Sequence, residues 1–335
     1  MLAVRVKKWE AEAVRRTLLR RGILDKGRKI IETDGWVEIP VSSNDCNYEY
    51  VRQRNPVFYH PRLSFEAIRD SLRGKLRKVE LRRLKGGWEL IGDVLILKMS
   101  EELSLERKRI VAERILEFMP RVKAVLNRRG IANPFREPMV EVLAGMAGET
   151  VHKENGCRFK IDPSKVMFST GNMEERRRMA AITDMDEVVL DMFAGIGQFT
   201  IPLAKHSKPK RVLSIEKNPV AYNYLVENIK LNGLVNVTPR LGDCSEESPR
   251  GGVNRVIMGY FFDTQEFLPP ALAAMDEGGV IHFHDLVKRR RLRERVMELM
   301  DVVGEMGYEV GRIKPRIVKS YSPSSYHAVF DMEVK

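Results

Sequence analysis

The second half of the chain alternates short apolar runs with amphipathic segments, and this alternation constrains the fold more than any other feature. Runs such as 188–190, 211–215 and 255–258 consist mostly of Val, Ile and Leu. Strands that are apolar on both faces are typical of a parallel sheet covered by helices on both sides. The sequence therefore predicts an α/β fold with a mostly parallel, doubly wound sheet, which ends in an antiparallel hairpin.

Acidic residues follow three successive strands of this predicted sheet. They are Asp191, Glu216 and Asp243, and Asp191 leads into a loop with Gly195 and Gly197. The carboxyl ends of parallel strands meet at one edge of a sheet, where a glycine lets the backbone approach a ligand and a carboxylate accepts ribose hydroxyls. Phe199 or Thr200 replaces the third glycine of GxGxxG, which favours S-adenosylmethionine over a dinucleotide. We expect a class I Rossmann-type domain, while helix capping by these acids stays an alternative.

Length and turn-forming residues divide the 335 residues into three predicted parts. Residues 1–60 form a small βαββ module and a linker, with Trp9, Ala13, Leu18 and Leu19 on one helical stripe. Residues 61–161 form a basic α/β platform that closes with a hairpin at Asn155-Gly156, and residues 162–335 form the cofactor domain. The dense turn-forming residues of 42–61, which include Asn55-Pro56 and His60-Pro61, predict a linker or long loop there and mark the first boundary.

The charge and cysteine content limit the partners and the compartment. The net charge of +12 favours a polyanion, with nucleic acid ahead of an anionic membrane surface, although a generally basic surface is the simpler alternative. The basic stretch 69–85 is a candidate for phosphate contact. Three scattered cysteines and no apolar run of membrane-spanning length predict a cytoplasmic protein without a disulfide framework.

Several motifs together resemble the archaeal and eukaryotic family that modifies the guanosine just 3′ of the tRNA anticodon. They are residues 191–197, 165–169 with Glu175-Arg176, 152–156 and 278–282. The family has two main branches, both using S-adenosylmethionine. One methylates guanine N1, and the other transfers the 3-amino-3-carboxypropyl group to a tricyclic wyosine precursor at the same nucleotide.

Three positions make the chain similar to the aminocarboxypropyltransferase branch. Met258-Gly259-Tyr260 replaces the Asn-Leu-Pro turn of the methyltransferases, Arg136-Glu137-Pro138 lacks the second arginine of their Arg-x-Arg-Glu, and residues 169–176 are similar to Ser-x-x-Asn-x-x-Glu-Arg. The resemblance implies transfer of the aminocarboxypropyl group to C7 of 4-demethylwyosine in tRNA-Phe by a monomer. The N-terminal module looks more like the tRNA-docking domain of the methyltransferases, so the N1-methyltransferase is the alternative.

The resemblance and the loop pattern together imply a set of site residues. We expect Glu175 and Tyr260 to be catalytic, with Glu175 either a base or the ion-pair partner of Arg178. The predicted cofactor residues are Ser169, Arg176, Asp191, Phe193, Gly195, Gly197, Glu216, Asp243, Cys244 and Met258. The predicted RNA contacts are Arg136, Lys319, Tyr321 and His327.

Two further sequence features and two other protein classes are also consistent with the sequence. Arg176 carries a charge that suits the methionine carboxylate. His282 and His284 share a strand face, a spacing compatible with a metal, but we expect a structural or substrate-edge role and no metal. A non-catalytic RNA-binding protein with a relic cofactor fold and a NAD-dependent oxidoreductase are the alternatives of other classes.

Overall fold

The computed structural model describes residues 1–25, 27–45, 47–53, 56–57, 65–84, 87–132, 135–275 and 278–335. These residues form two compact units, Met1–Leu81 and Arg82–Lys335. Of the predicted linker 42–61, Cys46 and residues 54–55 and 58–61 lie outside the described residues, as does Lys85. The prediction is wrong for Tyr50–Arg52, which form a strand of the first sheet.

The first unit is built on a four-stranded antiparallel sheet of order β2-β3-β1-β4. Val14 and Leu18 of its first helix pack with Val4 and Ile39 of the sheet. The predicted stripe is wrong in part, because Trp9 is 81% exposed and precedes the helix. The elements are β1 (Leu2–Lys7), α1 (Ala11–Arg20), β2 (Ile31–Thr33), β3 (Trp36–Pro40), β4 (Tyr50–Arg52), α2 (Phe65–Ser71) and α3 (Lys78–Arg83), which crosses the unit boundary.

The second unit begins with a four-stranded sheet of order β5-β6-β7-β8. β6 and β7 are parallel and joined by α4, which starts at Ser104, whose hydroxyl accepts a hydrogen bond from the Arg107 main-chain N–H. Sequence patterns missed β5 and β8, which are partly exposed and lack strict alternation. The elements are β5 (Trp88–Ile91), β6 (Val94–Leu97), α4 (Leu105–Phe118), β7 (Ala124–Ala132) and β8 (Glu137–Gly145).

A hairpin of β9 (Thr150–Glu154) and β10 (Cys157–Ile161) follows, with its turn at Asn155-Gly156 as predicted. Both turn residues have positive φ, 47° and 74°, which is why Asn and Gly suit this turn. Phe159 of the hairpin shares one hydrophobic core with Ile96 of the small sheet and with Leu225 of the larger domain. The hydrophobic core is therefore continuous across the predicted domain boundary at residue 161. This boundary remains a proposal.

The main sheet has seven strands in the order β13-β12-β11-β14-β15-β17-β16. Five strands are parallel and β17 is antiparallel to both neighbours, which confirms the predicted fold class. The strand order reverses between β11 and β14, the place where such sheets bind ligands. The strands are β11 (Val188–Asp191), β12 (Arg211–Glu216), β13 (Val237–Leu241), β14 (Arg255–Met258), β15 (Gly279–Lys288), β16 (Val310–Ser322) and β17 (Ser325–Val334).

Helices cover both faces of this sheet. Asn218 caps α7 by accepting hydrogen bonds from the main-chain N–H groups of Val220 and Ala221, and Pro219 occupies its first turn. A 3-10 turn (Thr264–Phe267) leads directly into the short α9. The helices are α5 (Met173–Ile182), α6 (Thr200–His206), α7 (Pro219–Leu231), α8 (Cys244–Glu247), α9 (Leu268–Ala273) and α10 (Leu292–Glu305).

Candidate active site

A cavity of about 370 Å³ lies at the carboxyl edge of the main sheet, beside the point where the strand order reverses. Its wall includes the glycine loop after β11, the ends of β12 and β13 and the segment after β14. Seven of the predicted site residues line it: Arg136, Phe193, Gly195, Glu216, Asp243, Cys244 and Tyr260. Of the three acids predicted at strand ends, Glu216 and Asp243 line the cavity and Asp191 does not.

Glu216 connects the glycine loop to the next strand. Its carboxylate accepts hydrogen bonds from the Gly195 main-chain N–H (2.6 Å) and the Asn218 main-chain N–H (2.8 Å). Burial raises the pKa of Glu216, and these main-chain donors oppose that shift. Because an ionised carboxylate has about four acceptor positions, these main-chain donors leave acceptor capacity for a ligand in the cavity.

Asp243 is the second acid of the wall and is more exposed than Glu216. The Lys217 ammonium donates to it at 2.6 Å, and together with hydrogen bonds from Ser245 this lowers the pKa of Asp243 to about 2. Asp243 stays ionised at neutral pH as a result. Next to it, burial raises the pKa of Cys244 to about 12, so its thiol is a neutral wall group.

Asp191 and Gly197 shape the loop from behind the cavity. The buried Asp191 carboxylate accepts a 2.7 Å hydrogen bond from the Thr200 hydroxyl, and burial raises its pKa to about 6. Gly197 has φ 93°, and a Cβ there would stand 2.7 Å from Cγ1 of Ile201. Both residues were predicted to touch the cofactor, but the structure uses them to hold the loop against helix α6 and strand β12.

Aromatic rings form another part of the cavity wall. Phe193 and Tyr260 are stacked, with ring centroids 5.1 Å apart, and Phe267 meets Phe193 edge-on at 5.1 Å. Met258, predicted to bind the cofactor, is instead fully buried in the core behind the wall. A Cβ on Gly259 would stand 3.0 Å from the Phe199 ring, so this glycine leaves room for Phe199.

Arg176 forms a buried ion pair with Glu154. The side chain is 1% exposed and donates two hydrogen bonds to the Glu154 carboxylate, at 2.7 and 2.6 Å, and one to the Ser169 carbonyl at 2.8 Å. Its guanidinium also packs over the Phe168 ring. The expectation that Arg176 holds the methionine carboxylate directly is therefore not met, and neither Arg176 nor Ser169 lines the cavity.

Glu175 belongs to a buried chain of charged groups. It is 3% exposed and pairs with Arg178, which also binds Asp331. Asp331 in turn lies 2.6 Å from Nδ1 of His282, and Nε2 of His282 lies 2.7 Å from Arg255. Of the two alternatives for Glu175, this geometry favours the ion pair with Arg178 over a base.

The predicted RNA contacts at the last hairpin have three different environments. The Lys319 ammonium donates to the Ser169 hydroxyl at 3.1 Å, and burial lowers its pKa. Tyr321 is 51% exposed and meets the Phe261 ring edge-on. His327 is fully buried, with Nε2 2.9 Å from Nδ1 of His284, so an RNA base cannot reach it in this conformation.

Family models match three consecutive parts of the chain. Residues 150–311 match the TRM5/TYW2 methyltransferase domain, residues 68–148 the TYW2 N-terminal domain and residues 3–49 the tRNA methyltransferase 5 N-terminal domain. The tRNA(Phe) (4-demethylwyosine(37)-C(7)) aminocarboxypropyltransferase of Methanocaldococcus jannaschii is 46% identical over 246 residues, which are 73% of this chain and 96% of that protein. The chain belongs to the TRM5/TYW2 family.

Two further comparisons relate this TRM5/TYW2 protein to both branches. Pyrococcus abyssi Trm5b, a tRNA (guanine(37)-N(1))-methyltransferase, is 35% identical over 341 residues, 99% of each chain. The crystal structure of M. jannaschii TYW2 in complex with AdoMet superposes with a TM-score of 0.62 at 41% identity, covering 74% of this chain and 99% of that one. The TYW2 relative is thus more similar in sequence, and Trm5b is similar over a longer segment.

Sequence patterns missed several wall residues of this TRM5/TYW2 protein. The Gln198 amide bridges the segment before α5, accepting from the Ser169 main-chain N–H at 2.9 Å and donating to the Met167 carbonyl at 3.3 Å. Met167, Phe262 and Asp263 also line the cavity. Because Gln198 directly follows Gly197 of the glycine loop, its place on the cavity wall could have been predicted from the sequence. Asp263 follows no motif, and no sequence signal indicated its position.

Proposed function

We propose that this TRM5/TYW2 protein transfers the 3-amino-3-carboxypropyl group of S-adenosylmethionine to C7 of 4-demethylwyosine, 3′ of the anticodon of tRNA-Phe. The observation that carries the proposal is the 46% identity to the M. jannaschii aminocarboxypropyltransferase over 96% of that relative's length. The match of residues 68–148 to the TYW2 N-terminal domain supports the same branch.

The cavity fits S-adenosylmethionine in the type and order of its polar groups. Glu216 keeps free acceptor positions, Asp243 is ionised at the end of the next strand, and the Phe193 ring supplies an apolar face of the same cavity. This order suits a ribose with an adenine next to it. When bound, S-adenosylmethionine supplies carbons activated by its sulfonium, and methylthioadenosine is the leaving group if the γ-carbon of the tail is attacked.

Exposed aromatic rings beside the cavity support a nucleobase substrate. Phe262 is 40% exposed, and the Phe261 ring contacts both Phe262, in a tilted arrangement, and Tyr321, edge-on. Unstacked RNA bases are commonly bound on such rings. We propose that Tyr260, on the cavity wall and stacked on Phe193, orients the acceptor base. Tyr321 and Lys319 remain proposed RNA contacts.

The guanine N1-methyltransferase is the second candidate function. It is favoured by the match of residues 3–49 to the tRNA methyltransferase 5 N-terminal domain and by the 99% coverage of Trm5b. Both candidates use the same cofactor and the same tRNA nucleotide. The difference between them is which carbon of the cofactor reaches the base, and this depends on how the cavity holds the methionine tail.

We further propose tRNA-Phe as the partner, a monomeric state and a cytoplasmic location. The basic charge of the chain supports binding to the tRNA backbone, and we propose that residues 1–60 dock the tRNA. Within the described ranges, no helix has both the length and the apolar character needed to cross a bilayer.

Doubly labelled S-adenosylmethionine tests the proposal. The methyl group carries one isotope and the carboxypropyl chain another, and the protein is incubated with tRNA-Phe that contains 4-demethylwyosine. We expect the carboxypropyl label in the tRNA and methylthioadenosine as the released product. Glu216→Gln, which removes the charge of the proposed ribose acceptor, should reduce the incorporation at least about tenfold.

A tRNA-Phe transcript with unmodified guanosine is the matched substrate control. Methyl label in that transcript, together with no carboxypropyl label in the wyosine-containing tRNA, would establish the methyltransferase and contradict the proposal. Glu247→Gln is the matched variant, since the Glu247 side chain is near Gly242 but is not part of the cavity wall. This variant should transfer the label at the rate of the unchanged protein.

A further inference from the structure

One face of the edge strand β16 carries a row of basic side chains. β16 is the outermost strand of the main sheet, and it pairs with β17 along almost its whole length. Residues that lie directly opposite each other on paired strands share a face of the sheet. By this register, four basic residues of β16 share the face on which Arg178 of α5 binds Asp331: Arg312, Lys314, Arg316 and Lys319.

A β-bulge brings Lys319 into this row. Arg316 and Lys319 are three residues apart, so strict alternation would place them on opposite faces of the sheet. The register shifts between Ile317 and Lys319, which makes Val318 the extra residue and returns Lys319 to the face of Arg316. The opposite face of β16 contacts the core shared with α10, through Ile313. The basic row is therefore on the face of β16 that this core does not cover.

The three outer residues of the row are exposed and keep their charges. Among the residues that the structure describes, no ion pair or side-chain hydrogen bond is formed by Arg312, Lys314 or Arg316. Glu333, opposite Arg312, is exposed and forms no ion pair with it within the described ranges. Asp331, opposite Lys314, is already bound by Arg178. The edge of the sheet thus presents three positive charges in a line, without a paired acid.

The sign and spacing of these charges fit a nucleic-acid backbone. Charged residues and a proline such as Pro315 on an edge strand also prevent pairing with another chain, but this role requires neither a single sign of charge nor a single face. Alternate residues of a strand are about 6.8 Å apart, and the whole row spans about 20 Å. Successive phosphates of an extended RNA strand repeat at a comparable distance, so the row can bind several of them at once.

The row ends beside the candidate active site. Lys319 is partly buried, and its ammonium donates to the Ser169 hydroxyl at 3.1 Å. Tyr321 follows two residues later, is exposed and meets the Phe261 ring edge-on. Phe261 in turn contacts Phe262, which lines the cavity. An RNA backbone that follows β16 therefore arrives at the aromatic rings proposed to bind the base.

We propose that the RNA backbone on one side of the target nucleotide runs along β16, where Arg312, Lys314 and Arg316 bind its phosphates. This assignment rests on the proposed function only in taking tRNA as the partner. Phosphate contacts fix the position of a strand and carry no sequence information, so the row determines how the RNA lies and not which base is modified. The sequence pattern does not indicate this surface, because other residues separate the charges and only strand pairing brings them to one face.

Filter binding of tRNA-Phe over a range of salt concentrations tests the proposal. The triple variant Arg312→Gln, Lys314→Gln and Arg316→Gln removes the three outer charges. We expect tRNA binding to weaken about 100-fold at low salt, and the slope of log affinity against log salt to become shallower by about 2, because three phosphates are no longer neutralised. Calorimetry with S-adenosylmethionine alone should give an unchanged affinity, which shows that the variant is folded and its cavity intact.

A second triple variant controls for the loss of net charge. Lys210→Gln, Lys230→Gln and Arg250→Gln remove the same charge from exposed positions at the opposite edge of the main sheet, where β12 and β14 begin and α7 ends. Charges that far from the RNA are screened by salt. This control should keep the tRNA affinity within about twofold and the slope unchanged.

Three outcomes would overturn the assignment. The first is a salt slope that the β16 variant leaves unchanged, and the second is an equal loss of tRNA affinity in the control variant. The third is that the β16 variant binds tRNA as the unchanged protein does but no longer binds vesicles of anionic lipid, which would assign the row to a membrane surface. The proposed function fails differently: the β16 variant would then still lose tRNA affinity, yet the unchanged protein would transfer only the methyl label.

Discussion

At the residue scale, the same acidic chemistry serves two purposes at the ends of neighbouring strands. Glu216 and Asp243 face the cavity, where they keep oxygen atoms available to a ligand. Asp191 is fully buried and accepts a hydrogen bond from the Thr200 hydroxyl. Because burial disfavours the charged form, the protonated side chain stabilises the loop more than the ionised one does. The environments, and not the residue type, separate the two roles.

The raised pKa of Asp191 makes a pH-dependent prediction. Burial raises the pKa of Asp191 to about 6 from its usual value of 3.8, so its favourable contribution to stability is complete below about pH 4 and is lost as the pH rises through 6. We expect the unchanged protein to lose about 2–3 kcal/mol of unfolding free energy relative to Asp191→Asn between pH 4 and pH 7. Urea unfolding of both proteins at a series of pH values measures this difference.

Asp243→Asn provides a control of opposite sign for the same titration. Hydrogen bonds from Lys217 and Ser245 lower the pKa of Asp243 to about 2, so its contribution is present above about pH 4 and is lost as the pH falls through 2. A difference between the unchanged protein and Asp191→Asn that stays constant from pH 4 to pH 7 would show that Asp191 is not buried as described.

At the scale of elements, ion pairs fix helix α5 to the strands around it. Arg176 joins α5 to the end of β9 through Glu154, and Arg178 joins it to β17 through Asp331. Arg176 also holds the Ser169 carbonyl, which orders the segment that Gln198 connects to the cavity. Helix α5 thus positions the segment that contacts the cavity, although its own charged side chains do not line the cavity wall.

Breaking the pair between Glu154 and Arg176 should be strongly destabilising. Glu154→Gln leaves a guanidinium that is 1% exposed without its counter-ion, and we expect a loss of about 3–5 kcal/mol of unfolding free energy. Denaturant unfolding measures the loss, with the exposed Glu174→Gln on α5 as the control. Adding Arg176→Met to Glu154→Gln should recover part of the stability, and a double variant that is less stable than Glu154→Gln would contradict this explanation.

At the scale of the whole molecule, the chain combines features of both family branches. An N-terminal segment similar to the methyltransferase 5 domain precedes segments similar to TYW2, within a single chain of net charge +12. Because relatives of both branches share this fold, the architecture alone does not distinguish the two chemistries.

The net charge makes a prediction about salt. If about five phosphates are neutralised on binding, tRNA affinity should fall about 100-fold or more between 50 and 200 mM salt. The affinity for S-adenosylmethionine, measured under the same conditions, should change much less because its site carries opposite charges. Filter binding and calorimetry across this range provide the two measurements, and a tRNA affinity independent of salt would exclude backbone neutralisation as the source of binding.

The sequence predicted the parallel sheet, its strands and the turn at Asn155-Gly156 because these follow from local patterns of apolar and turn-forming residues. The same logic identified Glu216 and Asp243, since parallel strands bring their carboxyl ends to one edge. The edge strands β5 and β8 were not predicted, because they are partly exposed and their residues do not alternate strictly between apolar and polar.

By itself, then, the sequence determined the fold class, the cofactor edge of the sheet and the resemblance that the TRM5/TYW2 comparisons confirmed. Only the tertiary structure decided which charged side chains are free. The sequence predicted that Arg176 binds the cofactor and that Arg136 contacts RNA, but Glu154 neutralises Arg176 away from the cavity, whereas Arg136 lies on the cavity wall. The physical reason is that a motif specifies residue types and spacing, while the partner that each charge meets is set by the packing of distant elements.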